Sequence, residues 1–170
     1  MNSYFAKKLI TLIALPSLLL SFTFLADKAN FSGDWKLNES KSDFGQRGGR
    51  FATRELKVDQ KDNAISITRI TPSFQGGDDV TSTETLPFDG KEVEGTGFAN
   101  STRKSSLKWA GDGQTFTITT NTTMERNGQT ISFSATETWA LGDEGKSLTI
   151  TTTRTTPQGE MTTKAVYDKQ

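Results

Sequence analysis

From Phe31 onward, apolar and polar residues alternate in short runs separated by turn-forming residues. The runs lie near 31–38, 51–59, 64–71, 79–88, 91–98, 102–110, 114–124, 129–141, 146–156 and 160–169. A period of two sends successive side chains to opposite faces of an extended strand. Turn signals fall between nearly all the runs: Asp62-Asn63, Gly76-Gly77, Asp89-Gly90, Gly111-Asp112-Gly113, Asn127-Gly128, residues 142–145 and Pro157-Gln158-Gly159. Asp-Gly and Asn-Gly favour tight hairpins because their positive-φ backbone matches strand twist. Successive hairpins predict an all-β fold, a single antiparallel up-and-down β-barrel (a meander) of about ten strands. An even count lets the first and last strands pair antiparallel, which closes the barrel and removes both sheet edges. The longest gap, residues 39–50, is Gly-rich at Gly45, Gly48 and Gly49 and reads as a loop and not a helix.

The same period names a shared face. Phe31, Trp35, Leu37, Leu56, Val58, Ile65, Ile67, Leu86, Phe88, Val93, Leu107, Trp109, Phe116, Ile118, Ile131, Phe133, Trp139, Leu148, Ile150 and Tyr167 share one parity and are expected inside. Trp35, Trp109 and Trp139 read as core packing. The other face is mainly Thr, Ser, Lys and Glu. The 27 Thr are spread over the chain, as suits β-branched residues on pleated, half-buried surfaces.

Charged residues share the inward parity: Arg54, Arg69, Glu84, Arg103, Glu137 and Arg154. Pairing Val58 with Ile65 would set Arg54 beside Arg69. A hairpin at Asp89-Gly90 would put Glu84 opposite Gly95. The later turns would place Phe133 between Thr122 and Arg154, with Arg103 beyond Thr122. Arg54, Arg69, Glu84, Arg103 and Arg154 then gather toward one end. Trp109, Phe116, Trp139 and Leu148 gather at the other, with Glu137 among them near Ile118 and Ile150. Three readings of these charges stand. The Arg forks suit a carboxylate or phosphate headgroup; they pair internally with Glu84 or Glu137; or they reach the rim and sit in water.

The first residues have a different pattern. Lys7 and Lys8 precede an apolar stretch from Leu9 to Ala26 that Pro16 interrupts. This is a secretory leader pattern, so residues 1–26 are expected to be a signal peptide and 27–170 the barrel domain. Localisation is then periplasmic or secreted, with an uncleaved anchor as the alternative. Without Lys7 and Lys8 the chain has two more acidic than basic side chains. That balance gives no electrostatic argument for nucleic acid or an anionic membrane. A monomer is expected, and no membrane association after leader removal. No Cys and no His are present, which removes disulfides, the usual transition-metal ligand sets and His-based nucleophilic catalysis. No cofactor or metal is expected; Asp59 with Asp62, and Asp78-Asp79, read as turn chemistry. Glu84 and Glu137 would be an acid–base pair only if adjacent. The expected register separates them, so no enzyme is expected.

Phe31-Ser-Gly-Asp-Trp-Lys-Leu-Asn-Glu-Ser40, followed by Asp43-Phe44, resembles the first strand of intracellular fatty-acid-binding proteins. Ala165-Val166-Tyr167-Asp168-Lys169 resembles their last strand. Those proteins are ten-stranded barrels of the calycin group, which also includes the lipocalins with their Gly-x-Trp. The opening is most similar to small exported bacterial lipocalin-like proteins, mostly without an assigned function. The resemblance implies that Tyr167 matches the Tyr of an Arg-x-Tyr pair that helps hold a fatty-acid carboxylate. Ala165 stands where the Arg would be, and residues 39–50 hold no counterpart of the helical lid.

The expected function is an exported carrier or sensor of a small, mainly apolar ligand, neutral or anionic, held by Arg54, Arg69, Glu84, Arg103, Arg154 and Tyr167. The alternative is a packed barrel acting as an envelope interaction module through rim loops such as Ser73-Phe74-Gln75-Gly76. The leader reading predicts a mature chain that begins between Asp27 and Asn30. N-terminal sequencing of the processed protein checks this, and an intact Met1 in the membrane fraction would favour the anchor.

Overall fold

The computed structural model describes residues 28–45, 48–73, 76–97, 100–126, 128–156 and 159–170. The expected leader, and Phe74 and Gln75 of the rim loop, lie outside them. The strands are β1 (Gly33–Leu37), β2 (Glu55–Gln60), β3 (Ala64–Thr71), β4 (Val80–Pro87), β5 (Val93–Thr96), β6 (Thr102–Trp109), β7 (Thr115–Arg126), β8 (Gln129–Gly142), β9 (Ser147–Thr156) and β10 (Gly159–Lys169). They form one antiparallel sheet in the order β4-β3-β2-β1-β10-β9-β8-β7-β6-β5. The all-β, ten-stranded meander is therefore the observed architecture, with β1 paired to β10 through Trp35 and Lys169.

Closure is incomplete, which corrects the sequence expectation. β4 and β5 stand at the two ends of the strand order, with no ladder between them among the described residues. The chain does not return as a hairpin at Asp89-Gly90. The Asp89 carboxylate accepts the Lys91 amide in a local turn, and Phe88 N–H donates to Asn63 O at 2.8 Å. β5 starts only at Val93 and pairs with β6 from Ser105 to Thr102. Gly95 therefore faces Arg103 and not Glu84, whose partner is Ile67 on β3.

Two other registers differ from expectation by two residues. Val58 pairs with Ile67, because Lys61 and Ala64 close the turn around Asp62-Asn63. Arg69 therefore faces Leu56 and not Arg54. Between β8 and β9, Asp143 and Glu144 take positive φ, and Gly142 pairs with Ser147. Arg154 then faces Ala135, and Trp139, not Glu137, faces Ile150. A slip of two keeps every side chain on its face but moves it along the barrel. The connection after β1 begins with one 3₁₀ turn, Glu39–Lys41, where only a loop was expected. Asn38 caps that turn and also bonds Asp168, and Asp43 bridges Lys164. This part of the connection thus runs beside β10.

The inward parity is correct where the barrel is closed. Phe31, Trp35, Ile65, Ile67, Leu86, Leu107, Phe116, Ile118, Trp139 and Leu148 are almost fully buried. Phe31 meets Phe116 edge-on at 4.6 Å between ring centroids, and Phe116 stacks on Trp139 at 5.2 Å. These rings make a packed floor. Beside it, the two ends of the domain lock together. Gly33 has φ of 145°, and a Cβ there would lie 2.7 Å from Lys169 Cε. Glycine lets the Lys169 stem cross β1 and set its ammonium 5.1 Å from the centre of the Trp35 ring. Trp35 Nε1 donates to Phe31 O at 3.0 Å.

Trp35 is 1 % exposed. Trp35→Ala should therefore cost about 3–5 kcal/mol as a large-to-small core change. Chemical denaturation measures it, and unchanged stability would show that this Trp does not seal the floor.

Candidate functional site

Above the floor lies a belt of charges contributed by four strands. Alternation delivers Arg69 from β3, Glu84 from β4, Arg103 from β6 and Glu137 from β8 to the interior. Arg69 Nη2 donates to Glu137 Oε2 at 2.7 Å, and its Nη1 lies 3.4 Å from Glu84 Oε1. Arg103 Nη2 donates to both Glu84 oxygens, at 2.9 and 3.0 Å. Trp139 Nε1 donates to Glu137 at 3.1 Å, and the Arg69 guanidinium sits 5.6 Å from the centre of the Trp139 ring. The belt thus rests on the aromatic floor.

The Arg69 and Glu84 side chains are only 13 % and 17 % exposed, so their charges are held by one another and not by water. Burial alone would raise the Glu137 pKa. Arg69, with hydrogen bonds from Trp139 and Arg69, overcomes this and holds the carboxyl below its ordinary value of 4.5. Burial alone would likewise lower the Arg69 pKa, but Glu137 and Glu84 hold it above its ordinary value. Burial pushes the Tyr167 phenol up; nearby Arg69 works against this and Glu137 with it. Tyr167 Oη donates to Thr53 O at 3.1 Å.

Of the six expected ligand residues, Arg69, Glu84 and Arg103 come together and Tyr167 is buried close by. Arg54 and Arg154 do not join them; both are exposed toward the mouth. Glu137 was expected in the apolar half away from Glu84. Instead both carboxylates share Arg69, which corrects the expected separation. They are brought together as ion-paired carboxylates on one guanidinium. The internal-pairing reading therefore describes Arg69 and Arg103, and rim exposure describes Arg54 and Arg154.

The barrel above the belt is open. Ile131 and Phe133 carry the inward parity yet remain 39 % and 44 % exposed. Val80 and Ser82, inward on β4, are exposed too. The sequence flagged Ile131 and Phe133 only as core. Their exposure follows from the long β7–β8 hairpin, whose tip pairs Met124 with Ile131 beyond the last β8–β9 partners. We call this open half the cup. A second concavity of about 460 Å³ flanks the β4–β5 seam, lined by Lys28, Phe88, Leu107 and Trp109. It is an open groove. Trp109 Nε1 is buried without a hydrogen-bond partner. A groove of about 310 Å³ on the outer face of β1, β2 and β3 is lined mainly by polar side chains such as Asp34, Lys57 and Thr68.

No protein-family model and no curated protein sequence matches this chain. A solved structure does: zebrafish ileal bile acid-binding protein complexed with cholic acid, 14% identical, with a TM-score of 0.55. The match covers 82% of this chain and 98% of that one. The likeness shows the fold, a nearly closed ten-stranded antiparallel barrel, as the resemblance of the two end strands implied. Among the described residues no helix is long and apolar enough to cross a membrane.

The belt makes stability depend on acid. A carboxyl whose folded pKa is depressed stabilises fully above its unfolded pKa and loses that contribution as pH falls through the folded value. For Glu137 the loss begins near 4.5 and continues below it. Glu137→Gln should therefore be less stable than the parent at neutral pH, and the gap should shrink as pH is lowered. Melting temperatures of both proteins across this range check it. A constant gap would remove Glu137 ionisation as the cause.

Proposed function

We propose that the protein is an exported barrel that binds a small, mainly apolar, amphipathic molecule in the cup, and that it is a binder and not an enzyme. One observation carries this reading: Ile131 and Phe133 face inward above the belt and stay exposed. Inward positions of a small barrel are normally filled by their neighbours. Apolar side chains left in water on the inward parity are the groups that gain most from a ligand's apolar body. The belt gives the cup a polar base, so the site has both characters an amphipath needs. The bile acid-binding neighbour of the same fold, complexed with cholic acid, supports this ligand class. The leader pattern supports export to the periplasm or beyond, and the near-balanced charge gives no electrostatic pull toward nucleic acid or an anionic membrane.

The described start of the β1–β2 connection also supports access. Asp43 pairs with Lys164 beside β10, so that segment does not cross the mouth. A ligand can then reach the wall of the cup without displacing it.

Titration with the neutral fluorophore N-phenylnaphthylamine tests the reading. Saturable binding is expected. Phe133→Asp and Ile131→Asp should each weaken it about tenfold, equivalent to 1.4 kcal/mol, since burying one such side chain is worth about 1.5–3 kcal/mol. Thermal stability should hold, because neither side chain is in the core. Loss in Phe88→Asp alone would move the ligand to the seam groove. No saturable binding would leave the packed-barrel interaction module as the function.

A further inference from the structure

We propose that the ligand carries no net charge, and that Glu84 sets this preference by holding Arg69 and Arg103 inside a charge-neutral belt. The inference rests on the amphipath-binding reading above and names the ligand class of that site. It departs from the expectation that inward arginines hold an anionic headgroup.

The charge count comes first. Two guanidiniums face two carboxylates, and every member belongs to an ion pair, although Arg69 Nη1 is buried without a hydrogen-bond partner. Arg103 Nη2 lies 2.9 and 3.0 Å from the two Glu84 oxygens. Arg69 spans Glu137 at 2.7 Å and Glu84 at 3.4 Å. To exchange its ion pair for an anionic ligand, either Arg must release a carboxylate. That strands a mostly buried negative charge, which is strongly unfavourable. An anion that entered without displacement would face Glu84 and Glu137 at short range in a poorly solvated site. Tyr167 gives no free donor either, since its hydroxyl is committed to Thr53 O.

The wall of the cup fits the same conclusion. Ser82, Thr122, Thr152 and Thr163 share the inward parity around and above the belt, as their pairings with Arg69, Phe133, Glu137 and Thr152 require. Hydroxyls both donate and accept, so they suit a hydroxyl or carbonyl group. Arg54 and Arg154 remain as cations, but both are exposed, and a charge pair in water adds little.

Two probes of similar size decide the matter: neutral N-phenylnaphthylamine and anionic anilinonaphthalene sulfonate. The parent protein should bind the neutral probe about tenfold tighter or more. Glu84→Gln leaves the belt with a net positive charge, so the anionic-to-neutral affinity ratio should rise about tenfold. Arg103→Gln leaves a net negative charge, so the same ratio should fall. This second variant keeps the test open if Glu84→Gln does not fold. A parent that prefers the anionic probe overturns the proposal. So does a ratio that both variants leave unmoved or shift in one direction, or anionic binding that Arg154→Gln abolishes, which would put the headgroup at the rim. A parent that binds neither probe overturns the amphipath-binding reading itself.

Discussion

The ion pair between Arg103 and Glu84 joins a barrel that its backbone leaves open. Among the described residues, ladder hydrogen bonds run through nine strand pairs and stop at β4 and β5. Across that seam, Arg103 on β6 meets Glu84 on β4. Arg69 carries the link over the interior to Glu137 on β8. A ladder would be indifferent to side-chain identity; this joint is not. Losing one member leaves a buried charge without its partner, so the belt stabilises as a unit or not at all. The belt is also the boundary between two environments. Below it the aromatic rings pack; above it inward-facing side chains meet water.

The opposite side of the barrel is closed by different means. β1 and β10 pair through their backbones, and Gly33, Trp35 and Lys169 interlock at the floor. The Gly-x-Trp of the first strand and the Lys near the end of the last strand are thus halves of one contact. Cation and ring attract, and the missing Cβ of Gly33 makes the approach possible. The outcome is a barrel sealed at the floor by chain ends and held at the seam by charges.

Faces were readable from the sequence because parity survives the commonest error. A two-residue slip left Leu56, Val58, Ile65 and Ile67 inside and kept all six charges on the inner parity. Levels were not readable, because they depend on register, and register depends on turn details. The connection through Asp143 and Glu144 moved Arg154 away from Phe133 and placed Trp139, not Glu137, opposite Ile150. The seam was hidden for a similar reason. Asp89-Gly90 has the composition of a hairpin, but the Asp89 carboxylate captures the Lys91 amide and the return strand starts late. The cup was hidden because alternation says which way Ile131 and Phe133 point. It does not say whether anything meets them.

Position 165, two residues before Tyr167, bears on the charge balance of the interior. Ala165 faces inward opposite Ile150 and packs against the core. The resemblance to fatty-acid-binding proteins would put an Arg there. One more guanidinium beside Arg69 and Arg103 would exceed what Glu84 and Glu137 can neutralise, and the surplus charge would favour an anion. Ala165 adds apolar contact instead and leaves the belt balanced at two against two. The charge balance at this level of the interior is therefore set by single side chains, with no change of strand order.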